Sequence, residues 1–320
     1  MILIFSELMT TGLLQGLILG IVALGVTIPF RFLNLPDLTC DGAYPLGGAL
    51  CTSLIISGVN PFLATLLASV AGGVLGMGTA FVHLRFKINT LLAGIILTAM
   101  TYSVNLRMMG KPNLALFGNV TLFSNFQDEI LFKIFVLSFI NIVIIGLLLR
   151  YCLSEKGLRF RAVGLNHEFS KKQGIHLSLY IFLGLFVGNA LCSFAGCLMV
   201  QIQEYVDIGM GTGIVIHALA AVMIGESIMG SQTIQRQIIA PLIGAILYQQ
   251  IQGFAISLGL PPSDLKFITG AIVLFAICYT LPKKPFARKR CLSETTSLSS
   301  QDKYFFDKPR PFSSKETEHE

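Results

Sequence analysis

The feature that most limits what this chain can become is a succession of apolar stretches, each near the length of a membrane crossing and separated by short polar breaks. About 20 helical residues, rising about 1.5 Å each, cover a hydrocarbon core of about 30 Å. Stretches that meet or approach this length lie at 8–30, 42–57, 60–83, 88–106, 130–150, 177–200, 212–229, 237–257 and 264–282, and the second is the least complete. Charged residues make up 12% of the 320 positions against 53% hydrophobic. That is roughly half the charge of an ordinary soluble domain, too little to cover a water-facing surface. The sequence predicts an all-α, polytopic membrane bundle of about eight or nine transmembrane helices, with a broken or re-entrant helix after the first span.

Lys and Arg in the connections set the orientation. Arg85, Lys87, the stretch 150–176, Arg236 and the run KKPFARKR at 283–290 share one face, taken as cytoplasmic, if the nine stretches alternate. The opposite face then receives Glu204, Asp207, Pro261, Pro262 and Asp264. The long connection at 107–133 fits less well, because it carries Arg107, Lys111 and Lys133 beside Asp128 and Glu129. Nine crossings put the carboxyl end in the cytoplasm and the amino end outside; a re-entrant 42–57 moves the amino end inside. The net charge of +6 lies in these connections and in the tail, which gives no reason to invoke nucleic acid. The first stretch has no basic residue before it and no small-residue cleavage site, so it reads as a retained span.

Thirty-one glycines include Gly12, Gly16 and Gly20 in the first span and Gly72, Gly73, Gly76 and Gly78 in the third, spacings that let helix backbones touch in lipid. The seven cysteines show no metal-ligand spacing and read as small packing residues, so neither a metal nor a cofactor is expected. Residues 1–282 form the predicted membrane domain. Residues 283–320 lose the apolar pattern and read as a disordered cytoplasmic tail.

Two segments interrupt the apolar pattern with chemistry. The first, GLRFRAVGLNHEFSKKQGI at 157–175, is a charged island that Gly157, Gly164 and Gly174 are expected to break into a short helix with defined ends; Glu168–Gln173 favours the helix and Gly174 is placed to close it. A basic loop that only sets orientation would look similar by charge alone. The order of residues carries more: Gly157, Arg159, Arg161, Ala162, Gly164, Asn166, Gly174 and Ile175 together resemble the cytoplasmic coupling segment, 153–176 here, of ATP-binding cassette (ABC) importer permeases of the branched-chain amino acid and ribose type. The resemblance implies a helix that docks in a cleft on a separate ATPase subunit. Ser170, Lys171 and Lys172 stand where that family has small residues, which implies a more acidic partner surface.

The second segment, FRFLNLPDLTCDGAYPLGGAL at 30–50, carries Asn34, Pro36, Asp37, Thr39 and Asp41 between apolar runs. Pro36 cannot donate a backbone hydrogen bond, and Gly42, Gly47 and Gly48 are expected to loosen the following helix. Unwound backbone at membrane depth survives only against protein or a wet cavity. Leu38, Thr39, Asp41 and Gly42 resemble a polar stretch of the same permeases that lines or gates the translocation path. The competing reading is a turn in which Asp37 or Asp41 caps the next helix. His217 is an ionisable residue inside a span, and a hydrogen bond to a neighbouring carbonyl would account for it.

The resemblance covers about 10–282. It implies the permease subunit of an importer in a bacterial inner membrane: a homodimer in lipid that works with a cytoplasmic ABC ATPase and an extracytoplasmic solute-binding protein. The solute expected is an amino acid, of the aromatic branch because of NLPDLT. The chain has no GxxxxGK[ST] phosphate loop, so hydrolysis would belong to the partner and no enzyme activity is expected of this subunit. An ion-coupled secondary transporter is the alternative, though such carriers place carboxylates near the membrane centre. No HExxH motif or Ser/His constellation supports an intramembrane enzyme.

Overall fold

The computed structural model describes residues 2–124, 130–230 and 232–257, with four isolated positions at 267, 270, 271 and 274. Apart from those four positions, the expected span at 264–282 and the expected tail at 283–320 fall outside the described residues. Ten α-helices and a small ribbon follow one another: α1 Ile2–Thr27, α2 Cys40–Ile56, α3 Pro61–Phe86, α4 Thr90–Met109, β1 Asn113–Ala115, α5 Ile130–Leu153, α6 Glu155–Leu165, α7 His167–Lys172, α8 Leu177–Gln203, β2 Tyr205–Asp207, α9 Ile214–Met229 and α10 Ile234–Ser257. A π-helical turn, Ile28–Phe32, ends α1 where Pro29 removes a backbone donor. The fold is the helical membrane bundle that the hydropathy predicts. Among the described residues, six helices are long and apolar enough to cross a membrane: α1 from Met9, α3, α4, α5, α8 and α10.

α1 is the central helix, packed against α5, α8, α9 and α10. Its glycines make this possible: a methyl group at Gly16 would meet the Ile246 backbone, and one at Gly20 would meet Leu242, both on α10. Without water to drive association, such backbone contact supplies dispersion that bulkier residues would prevent. The outward faces of α3, α4 and α5 carry Phe62, Ile95, Phe135, Phe139 and Ile142, all exposed in the isolated chain and suited to lipid.

The two short helices depart from simple crossing. α2 has 17 residues and α9 has 16, and their amino ends meet inside the bundle. The Val215 N–H donates to Asp41 Oδ1 (3.0 Å), and Gly211 lies so close to the Asp41 carbonyl and Pro45 that a Cβ would not fit. The expectation that Gly42, Gly47 and Gly48 loosen α2 is corrected here. α2 is helical through all three, and they serve close approach, to Thr98, Ser193 and Val200 respectively. The non-helical stretch is 33–39, just before them.

The connections gather at two ends. One end holds the π-turn, α6, α7 and the start of α8, together with the carboxyl end of α9, where Arg31 Nε meets Glu226 Oε1 (3.0 Å). The other holds the antiparallel β1–β2 ribbon, with Asn113 opposite Asp207. There Gln201 accepts from the Leu122 N–H (3.0 Å) and donates to Thr65 Oγ1 (2.8 Å). The awkward connection after α4 is thus tied to α8 by hydrogen bonds.

Gly76 and Gly78 separate packing from mere spacing. A Cβ at Gly76 would strike the Leu185 carbonyl and Asn189, whereas the nearest atom to one at Gly78 is Leu97 Cδ1 at 3.5 Å. Gly76→Val should therefore cost about 1–3 kcal/mol or more through overpacking, and Gly78→Val little. Thermal unfolding in detergent, followed by a thiol-reactive dye on the buried cysteines, should show a lowered transition for the first variant only.

Candidate coupling and gating site

The charged island folds as two helices. Ser154 caps α6, its Oγ accepting from the Gly157 N–H (3.3 Å). Asn166 ends α6 and begins α7, with its Oδ1 accepting from the Phe169 N–H (3.0 Å). Gly174, at φ +74°, closes α7, and the Ile175 N–H reaches back to the Ser170 carbonyl (3.1 Å), as expected of a left-handed terminal residue. Gly157 and Gly164, expected to break the segment, instead lie inside α6 and are contact positions. A Cβ at Gly157 would meet the Tyr151 carbonyl and Cys152, and one at Gly164 would meet the Phe32 carbonyl and Leu33.

α6 is two-faced. Phe160 is buried, edge-on to Tyr151 (centroids 6.0 Å apart) and tilted against Tyr180 (6.4 Å). Facing away are Leu158, Leu165 and Phe169, which are 62%, 88% and 57% exposed. Arg159, Ala162, Gly174 and Ile175 share the wall of a cavity of about 660 Å³ with Phe169 and Tyr180. Arg161 lies on the half-buried side, its Nε without a hydrogen-bond partner.

The π-turn sits between α6 and the bundle. Besides the Gly164 contact, Leu33 packs against Gly184 and Pro29 against Gly188 of α8. Arg31 reaches Glu226 of α9. The Leu35 N–H donates to the Pro29 carbonyl (3.0 Å), and Asn34 takes the left-handed conformation at φ +54°, which Asn tolerates better than most residues. Three elements therefore converge on five residues.

From here the polar segment runs back into the bundle. Asp37 is 2% exposed. Its Oδ1 accepts from the Thr39 N–H (2.9 Å) and hydroxyl (2.5 Å), and its Oδ2 accepts from Asn189 Nδ2 of α8 (2.8 Å). Because Thr39 has one hydroxyl proton and gives it to Asp37, Thr79 of α3 donates to Thr39 Oγ1 (2.7 Å). Such satisfaction is what a buried carboxylate requires.

The residues singled out in 34–42 thus divide. Asp37 and Thr39 join this network, Gly42 packs on Thr98, Asn34 is exposed, and Pro36 is half-buried. Asp41 caps α9 rather than its own helix, and it lines a groove of about 470 Å³ with Thr98 and Tyr102. His217 Nδ1 meets the Tyr248 hydroxyl (2.5 Å), a side-chain partner in place of the expected carbonyl. Asn189, Arg31 and Glu226 were not singled out as site residues. Asn189 is a lone amide within GLFVGNALC and could have been read from the sequence, whereas the pairing of Arg31 with Glu226 joins segments far apart in the chain.

A many-helix membrane bundle in which two short helices meet amino end to amino end beside non-helical polar backbone fits the architecture of solute transporters. The family comparison agrees: residues 8–277 match the model described as branched-chain amino acid transport system / permease component, and the chain belongs to that family. It is 37% identical over 268 residues to a tyrosine transport system permease protein of Clostridioides difficile, covering 83% of this chain and 88% of that one. It is 36% identical over 274 residues to an uncharacterized protein of Rickettsia prowazekii, covering 84% and 96%. A branched-chain amino acid transport permease protein of Methanocaldococcus jannaschii is 26% identical over 243 residues, covering 70% and 76%. The chain is a multi-pass membrane permease of the ABC transporter class.

Two substitutions separate the ties by strength. Asn189→Leu removes the amide that meets Asp37 Oδ2 and should cost about 1.5–3 kcal/mol, the range for hydrogen bonds to charged groups. Arg31→Gln breaks a partly exposed pair and should cost under about 1 kcal/mol. Denaturation midpoints in detergent should rank them in that order; equal losses would contradict the account of Asp37.

Proposed function

We propose that this permease forms the membrane path of an amino acid importer, that it works as a homodimer, and that an ABC ATPase grips it at α6 and α7. The observation that carries the reading is the outward face of these helices. Three large apolar side chains, Leu158, Leu165 and Phe169, stand exposed, Leu158 and Phe169 on the wall of the cavity, with Arg159, Lys171 and Lys172 in the same segment. An apolar centre with a charged rim suits a protein partner, and the basic rim suits an acidic cleft. In this reading the α6–α7 end lies in the cytosol, in line with the basic connections, and the ribbon end meets a solute-binding protein. The kinship with a tyrosine transport permease supports an amino acid as the solute.

In this reading, closure of the ATPase pair pushes α6, and α6 pushes the π-turn through Gly164. The segment 34–42 then acts as the gate. Asp37 and Thr39 tie it to α8 and α3, and Asp41 links its movement to α9. The membrane chain supplies the path and the lever, while the chemical step belongs to the ATPase.

The test combines exposed positions, so that folding is spared. The triple variant Arg159→Glu, Leu165→Asp, Phe169→Asp should reduce co-purification of the ATPase at least tenfold, about 1.4 kcal/mol of interface free energy, while insertion and the unfolding midpoint stay at wild-type values. Undiminished capture would show that the partner docks elsewhere.

A further inference from the structure

We infer that the bundle contains a solute site of its own, distinct from the polar segment 34–42: a cavity between α1, α2, α8, α9 and α10 that takes a small zwitterionic amino acid with an apolar side chain. This rests on the importer reading and names the place and chemistry of its path.

The cavity measures about 180 Å³ and is lined by Gln15, Tyr44, His217, Gln249 and Gln252, with Val22 and Met199 among its apolar walls. At the volume of liquid water this is room for about six water molecules, the scale of one small solute. Polar side chains inside a membrane bundle often serve only to join helices, and part of this set does so. Gln249 Nε2 donates to Gln15 Oε1 (2.6 Å), and Gln252 Nε2 donates to the Tyr248 hydroxyl (2.6 Å), which also meets His217 Nδ1.

Two observations go beyond joining. Tyr44 is 4% exposed and lines the cavity, yet its hydroxyl has no hydrogen-bond partner among the described residues. Joining helices also does not require empty space, since interiors close around groups that only pack. Asn141 shows packing without such space: its Nδ2 donates to the Leu17 and Leu137 carbonyls (3.1 and 2.9 Å), its Oδ1 is buried without a partner, and it borders none of the cavities described here.

The chemistry of the wall selects the occupant. No lining side chain carries a fixed charge, so an ion would enter without a counter-charge and pay the full cost of desolvation. Carboxamides, a phenol and an imidazole offer both donors and acceptors, which matches a carboxylate and an ammonium carried on one molecule. The apolar walls match an uncharged side chain. The site is also mechanically placed. His217 sits two residues beyond Val215, whose N–H Asp41 holds, and the same helix carries Glu226 at its far end against Arg31. Motion of the π-turn therefore reaches the cavity wall through α9.

The test uses the full chain reconstituted with its ATPase and binding protein, with radiolabelled L-tyrosine and L-leucine as probes. Tyr44→Phe, which removes only the hydroxyl, and Gln249→Leu should change the ratio of tyrosine to leucine uptake at least about threefold while ATPase capture stays at wild-type level. In a Gln249→Cys variant, labelling by a small maleimide should slow at least about threefold at saturating probe. An unchanged uptake ratio together with unprotected labelling, in a complex that imports a probe, would reduce the cavity to packing and overturn the site while the importer reading stands. Import of neither probe overturns the amino acid site, and capture of the ATPase by α6–α7 then decides separately whether the importer reading survives.

Discussion

The contact on which the rest depends is backbone on backbone: Gly164 of α6 against the Phe32 carbonyl and Leu33 at the end of the π-turn. A side chain between two helices can change rotamer and absorb a displacement, but two main chains in contact cannot, because close-packed interiors transmit strain instead of yielding to it. Glycine is the residue that permits this approach. The charged island, which hydropathy alone would assign to a loop, is thereby joined to the central helix. Pro29 and Leu33 carry the same junction onto α8 through Gly188 and Gly184.

From that junction the structure branches in two ways that differ in strength. The branch through Arg31 and Glu226 is a partly exposed ion pair, weak in solvent and easily remade. The branch through Asp37 is buried, with both carboxylate oxygens occupied by Thr39 and Asn189. For the gate proposed above, a firm tie beside a loose one would hold one end fixed while the other changes partners. Asp41 adds the third element. By capping α9 it joins two short helices at their amino ends, which ties the polar segment to α9. The cavity at His217 lies along that helix, so the proposed lever, gate and solute site would share one line of contacts.

Much of the architecture was legible because membrane crossing imposes length and apolarity on consecutive residues. The first eight apolar stretches overlap α1–α5 and α8–α10, and Gly174 closes its helix where the turn chemistry requires. What was not legible depended on partners. Gly157 and Gly164 look like helix breakers until the chain that crosses them is known, and Gly42, Gly47 and Gly48 likewise. Asp41 looked like a cap for its own helix and caps one that begins 173 residues later, at Ile214. The π-turn has no signal beyond Pro29, and the β1–β2 ribbon lay hidden in a connection whose charges merely looked misplaced. Sequence periodicity reports what each helix faces on average, and these features are decided by single contacts between distant segments.

The central claim is that α6 drives the bundle through its contact with the π-turn. It is tested most directly by counting solute molecules imported per ATP hydrolysed in a reconstituted Gly164→Val complex, with ATPase capture and the unfolding midpoint measured alongside. The account predicts that the ATPase is still captured and still hydrolyses ATP while import per ATP falls at least about tenfold. A Gly164→Val complex that folds, binds its ATPase and imports with wild-type stoichiometry would contradict it.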